Sequence, residues 1–263
     1  MPIKRRKSTD ATTPTAPGRG EFDDVAKHYD YLMRSIPYSG WVDYLEALLT
    51  HHSISAHTVF DLACGTGRVG SELLRRGYDV IGADLSEKMV RHCRDRQPPL
   101  AAAVMDARQL GLREGAFDLV VCMYDSLNYI LEPEGLQSAF VGIAHGLKPG
   151  AWLIFDMNTT FALAAGFFAS TNVGSGELLE FTWKPFWDAP TKICRVEMDF
   201  KWIGDGGPYE YHEVHYQHAY EIPEVTEMLG RAGFVQTEFY HGYSLNPPNR
   251  WSDRFFVAAR KGG

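Results

Sequence analysis

Three aspartates in the first half of the chain each lie at or near the end of a short apolar run. Asp61 lies in Val59–Leu62, Asp84 follows Val80–Ala83, and Asp106 follows Leu100–Met105. Such runs are typical of buried strands. The carboxyl ends of neighbouring parallel strands meet at one edge of a sheet, where ligands bind. The sequence therefore predicts three carboxylates along one ligand-binding edge.

A glycine turn, Gly65-x-Gly67-x-x-Gly70, follows the first of these runs, and two cofactors compete for it. A dinucleotide would place its pyrophosphate on bare backbone N–H groups at the start of the next helix. Asp61 would repel that phosphate and attract a cation. S-adenosylmethionine carries an ammonium and a sulfonium but no phosphate, so Asp61 favours it over NAD. Glycines allow the backbone to approach either ligand closely.

The other two aspartates match the rest of such a ligand. Asp84 lies 17 residues after Gly67 (84 − 67), where a carboxylate that accepts hydrogen bonds from both ribose hydroxyls is expected. Ser86 is a candidate N-cap of the following helix. Asp106 can accept a hydrogen bond from an exocyclic amine such as that of adenine.

Short apolar runs alternate with helical patterns between residues 56 and 157, which is typical of βαβ units in a parallel sheet. The predicted strands are 57–62, 78–81, 100–105, 117–122 and 152–155, and the predicted helices are 67–76, 86–95 and 133–147. We therefore predict a Rossmann-like, doubly wound α/β sheet that is mostly parallel. Pro149-Gly150 is expected to be the turn before the fifth strand.

The flanks of this core have other patterns. Residues 1–20 show no apolar periodicity and are expected to be a disordered tail, with one domain covering 21–263. Apolar spacing predicts two helices, separated at Pro37, as a cap over 21–50. Turn signals predict an antiparallel insertion at 171–220. A helix at 222–232 and strands at 234–240 and 255–259 follow, the last of them antiparallel.

The insertion holds the densest aromatic cluster of the chain. Ten aromatic residues lie within 181–220, which suits either a packed hairpin layer or an aromatic-walled pocket, and we favour packing. Strand alternation places His212 and His218 on one face and His215 on the other, so no metal site is predicted. One of these histidines could line a substrate pocket as a base.

Composition excludes several classes of protein. The chain has 263 residues, of which 45% are hydrophobic and 22% charged, as in globular proteins. Its net charge of −7 argues against nucleic-acid binding, and only residues 4–7 form a basic cluster. No apolar run is long enough to span a membrane and none follows the basic cluster, so a cytoplasmic location is expected. The four cysteines form no CxxC pair and are expected to be reduced thiols.

Five segments in this order and spacing resemble the motifs of class I S-adenosylmethionine-dependent methyltransferases. They are Asp61-x-Ala63-Cys64-Gly65-Thr66-Gly67, Ala83-Asp84-Leu85-Ser86, Asp106, Phe117-Asp118-Leu119-Val120-Val121 and Leu147-Lys148-Pro149-Gly150. More loosely, Tyr29-Asp30 and Pro37-Tyr38-x-x-Trp41 resemble the N-terminal cap of small-molecule enzymes that methylate amino sugars and glycine-like amines. Asn/Asp-Pro-Pro-aromatic, the motif of nucleic-acid amino methylases, is absent after Phe117–Cys122.

The resemblance implies a set of site residues. Tyr29 and Tyr129 are the candidate catalytic residues. The candidate cofactor-binding residues are Tyr29, Trp41, Asp61, Ala63, Cys64, Gly65, Gly67, Asp84, Leu85, Asp106, Ala107 and Met123.

The expected activity is methyl transfer from S-adenosylmethionine to a small molecule, at nitrogen or oxygen. A neutral amine needs little beyond desolvation and alignment, whereas a hydroxyl usually needs a base or a metal. The alternatives are an RNA or protein methyltransferase recruited by the basic tail, a non-catalytic S-adenosylmethionine-binding module and a NAD-dependent oxidoreductase. The sequence leaves the acceptor and the oligomeric state open.

Overall fold

The computed structural model describes residue 22 and residues 25–263. The expected disordered tail, residues 1–20, lies outside the described residues.

A seven-stranded sheet forms the centre of the fold, in the order β10-β11-β5-β4-β1-β2-β3. All pairs among β1 to β5 are parallel, and β11 is antiparallel to both of its neighbours. This confirms the Rossmann-like fold with an antiparallel last strand. The bounds are β1 Thr58–Leu62, β2 Asp79–Asp84, β3 Ala101–Val104, β4 Phe117–Cys122, β5 Leu147–Asn158, β10 Phe234–His241 and β11 Arg254–Lys261.

Helices cover both faces of this sheet, and each face has its own apolar core. Leu136 and Leu229 lie in the core on one face, and Leu45 and Leu73 in the core on the other. The bounds are α1 Tyr29–Leu32, α2 Tyr38–His51, α3 Arg68–Arg75, α4 Glu87–Arg94, α5 Pro133–Gly146, α6 Thr160–Ala164 and α7 Ile222–Arg231.

A second sheet of four antiparallel strands lies where the insertion was predicted, and it packs on the N-terminal cap through a third apolar core. Val25 of the cap, Leu163, and Val196 of the small sheet belong to that core. The bounds are β6 Ser170–Thr171, β7 Leu179–Asp188, β8 Ile193–Trp202 and β9 Tyr209–His218. Each of the three long strands has ten residues, so the hairpins are long enough to reach over the edge of the large sheet.

The cap has two helical segments separated at Pro37, as predicted, and the first of them is a 3₁₀ turn, Ala26–His28, followed by the single turn of α1. One local prediction was wrong. Pro149-Gly150 lies inside β5. Gly150 has a φ of +74°, and the pairing with β4 shifts register there. The expected turn is therefore an irregularity within the strand.

Within the described part of the chain, no helix combines the length and the apolar character needed to cross a membrane. All four cysteines are buried free thiols, as predicted.

Candidate active site

One cavity lies at the carboxyl ends of β1 to β4, beneath the cap and the small sheet. The predicted cofactor residues line it, with the exception of Gly67, and so does Tyr129. Gly67 lies behind the turn as the N-cap of α3, with a φ of +79°. A Cβ there would meet Cys93 Sγ at 3.0 Å, so the turn and its packing require a glycine at this position.

The glycine turn is fixed to the second strand by Asp84. Gly65 N–H donates to Asp84 Oδ2 at 2.8 Å, and Ser86 N–H donates to Oδ1 at 2.9 Å. Ser86 is the N-cap of α4, as predicted, and accepts a hydrogen bond from Met89 N–H. Each carboxylate oxygen can accept more than one hydrogen bond, so Asp84 supports the turn and can still accept from a ligand.

Asp61 is a buried carboxylate in the cavity wall. Its side chain is only 2% exposed, and Oδ2 has no hydrogen-bond partner among the described residues. Burial raises the pKa of Asp61 to about 7; the Asp84 charge adds to the rise, and a hydrogen bond from Gly70 N–H opposes it. A buried hydrogen-bond acceptor without a partner destabilises the folded state unless a ligand supplies a donor.

Asp106 follows β3 and is held by its neighbour. Arg108 Nη2 donates to Asp106 Oδ2 at 2.6 Å, and Arg108 Nε donates to Oδ1 at 3.0 Å. Hydrogen bonds from Arg108 lower the pKa of Asp106, so it is ionised at neutral pH. The pair orients the carboxylate at the rim of the cavity.

Asp30 connects the cap to the glycine turn, a contact that sequence reasoning did not find. Its carboxylate accepts from Thr66 Oγ1 at 2.7 Å, from Arg68 Nε at 3.0 Å and from Arg96 Nη2 at 2.6 Å. Burial raises the pKa of Asp30, but the hydrogen bonds from Thr66 and Arg68 and the Arg96 charge outweigh it and lower that pKa. The cap is therefore held closed over the turn by an ionised carboxylate.

Tyrosines gather where the cap meets the loop after β4. Burial raises the pKa of Tyr29 well above its usual value, and the nearby Tyr38, Tyr124 and Tyr129 add to the rise. Burial also raises the pKa of Tyr38 to about 12. Trp41 stacks on Tyr124 with ring centroids 5.0 Å apart. Tyr29 and Tyr38 are therefore neutral phenols at physiological pH, able to orient a reactant.

The loop after β4 is strained and firmly held. Tyr124 and Asp125 have φ values of +71° and +51°, in the left-handed region that costs non-glycine residues energy. Asp156 accepts from the N–H groups of both, at 2.6 and 3.0 Å. Arg254 of β11 bridges the Asp125 and Asp156 carboxylates. The sequence did not indicate these contacts between Asp125, Asp156 and Arg254.

Strand β9 presents Glu213, His215 and Gln217 to the cavity. As predicted from strand alternation, His212 and His218 lie on the face opposite to His215. His212 is half-exposed and pairs with Asp199, and His218 Nδ1 bonds to the Leu131 carbonyl oxygen. His215, only 1% exposed, is the histidine that lines the pocket. A search for polar residues at every second position from 213 to 217 would have found this face.

Most of the ten aromatic residues in 181–220 pack within the protein and do not line the cavity, as we predicted. Of the ten aromatics in 181–220, Trp183 and Phe200 line the cavity. Trp183 Nε1 is buried with no hydrogen-bond partner among the described residues, so it can donate to a ligand. Phe168, outside the predicted cluster, completes this wall.

Among the residues that the structure describes, one group has a spacing that could hold a metal ion: His51, His52 and Glu238. None of the three lines the cavity. His52 Nε2 is hydrogen-bonded to the Tyr240 hydroxyl at 2.8 Å, which in turn donates to Glu238.

Comparisons with known proteins identify the family of the chain. Residues 59–150 match a family model described as a methyltransferase domain. The chain is 30% identical over 244 residues to YqeM of Bacillus subtilis (strain 168), which is named as a candidate methyltransferase; the match covers 91% of this chain and 97% of YqeM. The chain is a class I S-adenosylmethionine-dependent methyltransferase.

Two further likenesses extend the comparison of this methyltransferase. A crystal structure of an S-adenosylmethionine-dependent methyltransferase from Clostridium acetobutylicum superposes with a TM-score of 0.78 at 22% identity, covering 93% of this chain and all of that one. A Streptomyces venezuelae dTDP-3-amino-3,4,6-trideoxy-alpha-D-glucopyranose N,N-dimethyltransferase is 31% identical over 135 residues, 51% of this chain and 56% of that protein.

Proposed function

We propose that this methyltransferase transfers the methyl group of S-adenosylmethionine to the nitrogen of a small, largely apolar amine in the cytoplasm. The observation that carries the proposal is the composition of the part of the cavity we call the acceptor lobe. It is walled by apolar and aromatic side chains, and its polar groups are carboxylates, phenols, an imidazole and an amide. The lobe is lined by Tyr29, Tyr129, Trp183, Met198, Phe200, Glu213, His215 and Gln217.

The rest of the cavity, the cofactor lobe, fits S-adenosylmethionine. Asp61 Oδ2, which lacks a partner among the described residues, fits the cofactor's ammonium because a cation there would relieve a buried, unpaired acceptor. Asp84 would hold the ribose hydroxyls and Asp106 the adenine amine. Leu85 and Met123 offer apolar surface for the adenine ring.

The cavity arginines are all committed to carboxylates. Arg68 pairs with Asp30, Arg108 with Asp106, and Arg254 with Asp125 and Asp156. An acceptor with a phosphate or carboxylate in this cavity would find no uncommitted arginine among the lining residues, and it would face several carboxyl groups, of which Asp106 is ionised at neutral pH. This supports a neutral or cationic acceptor and argues against RNA, as does the net charge of −7.

The cofactor supplies an activated methyl group, so the protein mainly has to align and desolvate the acceptor. The phenols of Tyr29 and Tyr129, which line the cavity, would orient the incoming nitrogen. The Asp30 contacts keep the cap closed over the glycine turn and exclude water. The likeness to an amino-sugar N,N-dimethyltransferase supports nitrogen as the atom methylated.

The test is formation of S-adenosylhomocysteine from S-adenosylmethionine with three probes: benzylamine, glycine and a short single-stranded RNA. Benzylamine is an apolar amine, glycine carries a carboxylate and RNA carries phosphates. We expect turnover with benzylamine that exceeds turnover with glycine at least tenfold, and none with RNA. Preferred methylation of RNA or glycine would overturn the proposal. Tight S-adenosylhomocysteine binding with no turnover on any amine would favour a non-catalytic binding module.

A further inference from the structure

We propose that Tyr129, His215 and Glu213 form a hydrogen-bonded chain that removes the proton from the acceptor ammonium before methyl transfer. The inference rests on the proposed function, because it assigns a task at the same site. Most small amines are protonated at neutral pH, and a protonated nitrogen has no lone pair with which to attack. An enzyme for such an acceptor therefore needs a proton acceptor inside the closed cavity.

The three side chains come from two elements and meet at hydrogen-bonding distances. Tyr129 closes the 3₁₀ turn Ser126–Tyr129, and its hydroxyl lies 3.2 Å from His215 Nδ1. His215 Nε2 lies 2.8 Å from Glu213 Oε2. Glu213 Oε1 also accepts from Val25 N–H at 3.0 Å, so the cap holds the carboxylate in place.

The partners determine the direction of the hydrogen bonds. Both Glu213 carboxylate oxygens act as acceptors in this arrangement, Oε1 from Val25 N–H and Oε2 from His215, so His215 Nε2 carries the hydrogen and donates it to Glu213. Nδ1 of the neutral ring is then an acceptor, and Tyr129 O–H donates to it. Because both ring nitrogens are engaged, His215 does not reach the acceptor directly. All three side chains line the cavity, and with both His215 nitrogens engaged, Tyr129 is the member that meets the acceptor nitrogen.

The chain has the arrangement of a hydroxyl, an imidazole and a buried carboxylate that activates hydroxyls in hydrolases, here with a phenol in the first position. A proton from the acceptor ammonium moves to the Tyr129 oxygen as the Tyr129 proton moves to His215 Nδ1. The resulting imidazolium is stabilised by the Glu213 carboxylate. The freed lone pair then forms the N–C bond while the C–S bond breaks, and the electrons of that bond remain on sulfur. The imidazolium returns its proton to solvent when the product leaves.

The described residues around the chain shield it from water. The Phe22 ring meets the His215 ring edge-on, with centroids 4.4 Å apart, and His215 is 1% exposed. Among the described residues, the other titratable groups in this part of the cavity include Tyr29 of the cap, which is a neutral phenol, and Asp125 of the β4 loop. Asp125 is already engaged by Arg254 and by Gln217, whose Nε2 lies 2.6 Å from its Oδ2.

The first test needs no acceptor. Nitrogen-15 NMR of the histidine rings in the full chain reports which ring nitrogen carries the hydrogen, with His215→Asn used to assign the signal. We expect the Nε2–H tautomer in the wild type. We expect the Nδ1–H tautomer in Glu213→Gln, because the amide N–H₂ donates to Nε2. An Nδ1–H tautomer in the wild type would overturn the proposed direction of proton transfer.

The second test is the pH profile of kcat/KM with benzylamine. Glu213→Gln keeps the shape of the side chain, and we expect kcat to fall on the order of a hundredfold, within the range for loss of a general base. The pH profile should also change shape, because the carboxylate that accepts from His215 is lost. Glu210→Gln, on the exposed part of the same strand, makes the same charge change outside the cavity and should retain the wild-type rate.

Failure of the proposed function and failure of the Tyr129–His215–Glu213 chain would give different results. A wild type that methylates no amine rejects the proposed function, whatever the tautomer. A wild type that methylates benzylamine, with an unchanged rate and pH profile in Glu213→Gln, rejects the chain alone. Calorimetry with S-adenosylhomocysteine on Glu213→Gln should give wild-type affinity, which separates loss of proton transfer from loss of the fold.

Discussion

Affinity for S-adenosylhomocysteine should depend on the ionisation of Asp61. Burial raises the pKa of this carboxyl to about 7, and Oδ2 has no hydrogen-bond partner among the described residues. The ammonium of the ligand binds the ionised form, so binding lowers the pKa of Asp61 and expels a proton from the protonated fraction. The sign follows: affinity is highest above about pH 7 and falls as the pH drops through that value.

The magnitude follows from the fraction ionised. With a pKa of about 7, Asp61 is about three quarters ionised at pH 7.5 and about 3% ionised at pH 5.5. If only the ionised form binds, affinity falls about 25-fold over this range, or roughly 1.9 kcal/mol. Asp61→Asn removes the titrating group, so its affinity at pH 7.5 should be at least tenfold weaker, and most of the pH dependence should vanish.

Isothermal titration calorimetry between about pH 5.5 and 7.5 measures this directly, and buffers of different ionisation enthalpy report the expelled proton. Asp79→Asn is the matched control, because Asp79 is exposed at the opposite end of β2. It should reproduce the wild-type slope. A wild-type affinity that stays flat over this range, or an Asp61→Asn variant with an unchanged slope, would refute the assignment of Asp61 to the ammonium.

Three other predictions concern the same site. Asp84→Ala should weaken S-adenosylhomocysteine binding by about 1.5–3 kcal/mol, roughly ten- to a hundredfold, because bonds to a charged acceptor and the support of Gly65 are lost; calorimetry measures it. Asp30→Asn should speed cofactor release several-fold in stopped-flow experiments; the effect is modest because Asp30 is half-exposed. Tyr29→Phe should lower turnover on the order of tenfold with cofactor affinity unchanged, as alignment but not binding is lost; wild-type turnover would remove the Tyr29 hydroxyl from the reaction.

The residues that line the cofactor lobe could be predicted because their positions depend on local sequence patterns. Asp61 and Asp84 lie in or at the end of buried apolar runs, and the glycine turn lies directly after the first run. A parallel sheet brings strand ends to one edge whatever the detailed packing. Such features depend on neighbours in the chain, and a single sequence displays them.

The acceptor lobe depends on contacts between distant segments, which spacing does not encode. Tyr129 and His215 are separated by 86 residues and meet only because the small sheet folds over the edge of the large one. The alternation of β9 was visible, but the face that turns inward is fixed by the pairing of its hairpin with β8. In the same way, nothing in the sequence around Asp30 indicates that Arg68 and Arg96 are its partners.

A crystal structure of the enzyme with bound S-adenosylmethionine would test the proposed orientation of the cofactor in the cavity. We expect the ammonium within hydrogen-bonding distance of Asp61 Oδ2, the ribose hydroxyls on Asp84, and the sulfonium methyl pointing into the acceptor lobe towards Tyr29 and Tyr129. A cofactor with its methyl group pointing away from these tyrosines, or with its ammonium remote from Asp61, would contradict it.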